Sequence, residues 1–144
     1  MPHCLLPPLL SNLIRRNEWH QPDDDVVRQL VPFDDLPFDF HLTEAAIESD
    51  TLHDLLPFNC FNLCSSRRGD PYQDLPAIDV DLARCIAGGR IHGSDSAIAL
   101  DFRISESDPR VVATNWQSGT CGWDEVAASF TEFVTELRRI ESGT

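Results

Sequence analysis

Lysine is missing from this chain: all 11 basic residues are arginines, set against 24 acidic residues, for a formal net charge of −13. A field of that sign repels phosphate backbones, so nucleic-acid binding would need a strongly segregated basic face. Arg15–Arg16 and Arg67–Arg68, the basic pairs before the tail, are too sparse to form one and read as solvated surface. No apolar run approaches bilayer-spanning length, which argues against a membrane protein. The opening stretch from Met1 to Leu10 has no basic n-region and is interrupted by prolines, so the chain is expected to stay in the cytoplasm. Cysteine is sparse and odd in number, five in all, with no disulfide framework and no paired CxxC knuckles. Neither an internal repeat nor a low-complexity linker divides the 144 residues, so residues 1–144 are expected to form one domain with one core.

What is present is punctuated by proline up to about residue 41, with Pro2, Pro7, Pro8, Pro22, Pro32 and Pro37, so long helices are excluded there. A helix of one or two turns is expected after Pro8, where Leu9, Leu10, Leu13 and Ile14 share a face. Asp23–Asp25 read as a solvated charge run, and Val31-Pro32-Phe33 and Leu36-Pro37-Phe38 as turns that pin this segment to the core. Between Thr43 and Leu56 the apolar spacing predicts one broken helix or two short ones, stopped by Pro57. Phe58 to Cys64 favours extended structure, and the Ser65 to Pro71 stretch a loop. Asp79 or Asp81 could cap a short helix through Leu82, Cys85 and Ile86, ending at Gly88-Gly89.

The last third carries the clearest patterns. From Ser96 to Phe102 the large residues Ile98, Leu100 and Phe102 alternate with small or polar ones, as in a strand with one buried face. Val111 to Trp116 is a second strand, and the polar connector from Arg103 to Arg110 makes the two an antiparallel hairpin. An element beginning near Trp123 then leads into a helix. Its residues Val126, Phe130, Phe133, Val134, Leu137 and Ile140 follow the spacing of one buried stripe, and Ser129 with Glu132 marks the start. The expected core therefore includes Ile98, Leu100, Phe102, Phe130, Phe133, Val134 and Leu137. On strict alternation Ala99, Asp101 and Arg103 occupy the opposite face, as an exposed cross-strand ion pair or as part of a partner-binding surface.

These same residues resemble the C-terminal half of a SUKH domain. The stretch Ala97-Ile98-Ala99-Leu100-Asp101-Phe102-Arg103 matches its strand, Pro109-Arg110-Val111-Val112 the segment that follows, and Ala127 with Ser129-Phe130 and Phe133 its helix. The match covers about residues 93 to 140, and Ala128 departs from it, since the family often has an acidic residue there. The resemblance implies an α+β fold, a mostly antiparallel sheet flanked by helices, without a shared catalytic constellation or cofactor. Members bind proteins: bacterial ones are associated with immunity to secreted toxins, and fungal ones act as scaffolds in cell-wall regulation. The expectation is a non-enzymatic domain that binds a protein partner: a basic toxin, or a cellular protein in the scaffold alternative. Asp95, Asp101, Arg103, Asp108, Arg110 and Trp116 are the candidate contact residues.

Three other chemistries compete with that reading. Cys60 and Cys64 with Cys85, Cys121, His3, His53 or His92 are zinc-ligand types, but their spacing is poor and buried cysteines are common. Cys121 between Gly119 and Trp123, with His92 or His53 as base, has the residue types of a thiol nucleophile, although the glycines suit a turn better. Asp23, Asp24, Asp25, Asp34 and Asp35 could attract a hard cation but lack the calcium-loop pattern. No metal or cofactor is therefore expected.

Overall fold

A computed structural model of the chain describes residues 6–33, 37–54, 66–67, 78–79, 82–91, 96–116 and 122–143. Helix α1 spans Pro8–Arg15, with proline in its first turn and Leu10 and Leu13 buried. Helix α2 spans Asp24–Leu30. The aspartate run keeps the surface character expected of it, with Asp23 and Asp25 exposed, and also begins this helix: Asp24 and Asp25 lie in its first turn, where carboxylates favour the positive end of the dipole. Strand β1 is Phe38–Phe40, so the turn expected through Pro37 and Phe38 leads directly into a strand. Helix α3 is Glu44–Asp54, one helix rather than two.

Strands β2 (Ser66–Arg67) and β3 (Ile78–Asp79) pair in parallel, where the sequence suggested a loop at the first and a helix cap at the second. The extended segment expected over Phe58 to Cys64, and the turn at Gly93 to Asp95, lie outside the described residues. Strand β4, Ala83–Gly89, replaces the helix expected through Leu82 and Ile86. Its residues Ala83, Cys85, Ile86 and Ala87 are buried between strands on either side, so no exposed face is left to give the run a period. A short apolar run of this kind is ambiguous between helix and strand, and pairing with β1 and β5 resolves it.

Strands β5 (Ala97–Asp101) and β6 (Arg110–Asn115) form the expected antiparallel hairpin. Strand β7 is Gly122–Ala127, and helix α4, Phe130–Ser142, follows it. The five-stranded sheet has the order β1-β4-β5-β6-β7, with every pair antiparallel. Bulges interrupt β4 between Cys85 and Ala87 and the β6–β7 register beside Val111 and Val112.

One face of this sheet carries Ile98, Leu100, Val111 and Ala113, together with Phe102 just past β5, and packs against α1, α2 and α4. Phe130, Phe133, Val134 and Leu137 of α4 are buried there. Trp19 contacts both Phe40 and Phe130, with ring centroids 5.8 Å apart in each case. The opposite face is covered as well: Ala83, Cys85, Ala97, Ala99, Val112 and Trp123 form a second buried cluster with Ile78 of β3. Every residue of β5 is buried, which corrects the picture of a strand with one solvated face.

Candidate functional site

Asp101 ends β5 and lies opposite Arg110, the first residue of β6. Its carboxylate accepts hydrogen bonds from the Arg103 amide (3.1 Å), from Arg103 Nη2 (2.9 Å) and from Arg110 Nη2. The Asp101 and Arg103 side chains are only 2% and 4% exposed, so the exposed ion pair anticipated from alternation is in fact a buried one. The fold places it there because the second sheet face is covered and the connector after Phe102 curls Arg103 back onto Asp101. Glu125 of β7 stands 3.8 Å from Arg110 Nη1, giving two carboxylates for two guanidinium groups. Burial pushes the Asp101 carboxyl up, yet the Arg103 and Arg110 hydrogen bonds outweigh it and hold the group below the ordinary carboxylate range.

Three of the candidate contact residues, Asp101, Arg103 and Arg110, are thus brought together, but as an internal cluster that locks the mouth of the hairpin. Asp108 serves the same end of the molecule. Its Oδ1 accepts from the Thr131 amide at 2.9 Å, beside the Ser129 Oγ that accepts from the Glu132 amide at 3.1 Å. Both bonds satisfy amides at the start of α4 that have no partner within the helix. Trp116 lies at the far end of β6 and is partly exposed. Asp95 lies outside the described residues, as do Cys4, Cys60, Cys64, Cys121, His3 and His92. Cys85 is buried in β4. Among the described residues no group of three or more His, Cys, Asp or Glu side chains could hold a metal ion, and no helix is long and apolar enough to cross a membrane.

Among the described residues, exposed acidic side chains outnumber the exposed arginines, which are Arg15, Arg16, Arg28, Arg90, Arg138 and Arg139. Glu18, Asp23, Asp25, Asp39, Glu44, Glu48, Glu106, Glu125 and Glu132 are exposed. Meanwhile Arg28, Arg90, Arg103, Arg110 and Arg139 are each held by a carboxylate. Arg90 alone bridges Asp24 and Asp39, tying α2 to β1, and its hydrogen bond holds the Asp24 carboxyl below the usual range.

A groove of about 380 Å³ opens between the end of α2, the edge of β7 and α4. Leu30, Phe33, Val126 and Phe133 line it together with Glu125 and Glu136. The sequence reading missed this feature because it treated the Trp123 segment as a lead-in to the helix. The signal available was Trp123 and Val126 in a short run with no helix cap before Ser129.

Fold and surface together define an α+β protein built on one five-stranded antiparallel sheet, with two buried clusters and an acidic exterior. Comparison of the chain with protein-family models, with curated proteins and with solved structures finds no match to any of them.

Proposed function

We propose that this chain is a non-enzymatic, cytoplasmic protein-binding domain of SUKH type, acting as an immunity protein that occludes a basic toxin. The observation that carries this reading is the balance of charge: the net charge is −13, and among the described residues nine exposed acidic residues stand against six exposed arginines. Such an exterior steers a cationic partner into encounter and places carboxylates where the phosphates of a toxin's substrate would sit. The order of hairpin, edge strand and terminal amphipathic helix, with the residues of the family resemblance at the hairpin and the helix start, supports the SUKH assignment.

The experiment is co-expression with the product of the neighbouring gene. The reading expects a basic protein to co-purify, its toxicity to be suppressed, and association to slow markedly as salt is raised. Binding that is indifferent to salt, or a chain that leaves the toxicity unchanged, would refute it. In the alternative reading, a regulatory scaffold, a cellular protein binds without loss of its own activity.

A further inference from the structure

The two edges of the five-stranded sheet are finished in different ways. At β1 the outer backbone is already occupied. Gln21 Nε2 donates to the Phe38 carbonyl at 3.0 Å, and the Phe40 amide donates to Gln21 Oε1 at 2.7 Å. The Trp19 indole N–H donates to the His41 carbonyl at 2.9 Å. A side-chain amide thus stands where a neighbouring strand would bond. At β7, among the described residues, neither a strand nor a side chain bonds the outer backbone of Glu125 to Ala127. An edge strand turns backbone N–H and C=O groups outward, and Glu125, Val126 and Ala127, with the bulge at Val126 between them, also line the groove.

That groove has an apolar wall and an acidic rim. Leu30, Phe33, Val126 and Phe133 supply the wall. Glu125 and Glu136, 45% and 47% exposed, supply the rim. Arg139 pairs with Glu136 and Arg110 Nη1 stands 3.8 Å from Glu125, but partly exposed pairs of this kind are weak enough for an incoming cation to displace. A second copy of the chain fits poorly, because pairing two β7 edges would set Asp124 and Glu125 against their own counterparts.

We propose that the β7 edge and its groove accept an extended segment of a basic partner protein as an added strand. Arginine or lysine side chains of that segment lie against Glu125 and Glu136, and an alternate apolar side chain enters the groove. This rests on the protein-binding reading above and names the edge that does the binding.

The test uses the full chain and a synthetic peptide alternating arginine and valine, followed by amide chemical shifts and by fluorescence anisotropy. Shifts should concentrate at residues 125–127 and 30–33. Affinity should fall roughly tenfold or more in Glu136→Arg and in Glu125→Gln, as expected for loss of an interfacial charge partner. A peptide N-methylated at alternate amides should not bind, a result that does not depend on any protein variant folding. The proposal is overturned if the arginine peptide does not bind, if the methylated peptide binds equally well, or if sedimentation shows the chain pairing with itself through β7. Those failures leave the co-expression result standing. Loss of co-purification with peptide binding intact would instead remove the toxin reading and keep the edge as a strand acceptor.

Discussion

Asp101 and Arg110 are register partners at the open end of the β5–β6 hairpin, and the carboxylate that Arg110 reaches is the one Arg103 also holds. Two guanidinium groups on one buried carboxylate make that carboxylate costly to remove. Substitution Asp101→Ala should destabilise the domain by about 3–5 kcal/mol, since it leaves buried positive charge uncompensated. Urea unfolding would measure it. Replacing all three residues together with apolar ones of similar volume should recover most of the loss. If the single and triple variants unfold alike, the cluster is not what holds the hairpin mouth.

Acid should weaken the fold through the same group. The folded Asp101 pKa is depressed, so its contribution is complete above the unfolded value of roughly 3.9 and disappears as pH falls through the folded one. The difference in urea midpoint between the parent chain and Asp101→Asn should stay constant from pH 7 to 5 and narrow below about pH 4. His20 works in the opposite sense. Its Nε2 meets Glu141 at 2.8 Å, which raises its pKa, so its contribution is present below the unfolded value of roughly 6.5 and is lost as pH rises through the folded one. Being half exposed, this pair should be worth well under about 1 kcal/mol.

The start of α4 is held from two directions, by Ser129 from its own cap and by Asp108 from the β5–β6 connector. Removing either side-chain acceptor by substitution with alanine should cost about 1 kcal/mol. Hydrogen exchange at the Thr131 and Glu132 amides would separate them: Asp108→Ala should expose the first and Ser129→Ala the second. Equal exposure of both amides in either variant would mean that the helix end frays as a unit.

Gln21 closes the β1 edge with one amide group that both donates and accepts. The Gln21→Ala variant should lose roughly 1–3 kcal/mol, the cost of leaving backbone groups unpaired. It should also associate at high concentration through the opened edge, as light scattering would show. A stable, monomeric variant would mean that water replaces the side chain without loss.

Much of the C-terminal third was legible because its large apolar residues recur with a clear period. The stripe through Phe130, Phe133 and Leu137, with Ser129 ahead of it, specifies α4 by local chemistry alone. The β5–β6 hairpin was legible in the same way, from the period of Ile98, Leu100 and Phe102. The period of two correctly set Ile98 and Leu100 on the face beneath the helices. It could not show that Ala99 would be covered by the cluster of Ile78 and Trp123, or that Arg103 and Arg110 would close on Asp101. Strand β4 was misread for a related reason: once both faces are buried, Cys85-Ile86-Ala87 has no period to read.

Composition and local periodicity, then, determined the acidic character, the β5–β6 hairpin and the terminal helix, since each depends on residue types or on neighbours a few positions apart. Tertiary structure alone decided that Arg103 and Arg110 would converge on Asp101, that Gln21 would seal one sheet edge, and that β7 would border a groove. Apart from the Asp101–Arg103 contact, those outcomes join residues nine or more positions apart, and only the packed sheet brings them within bonding distance.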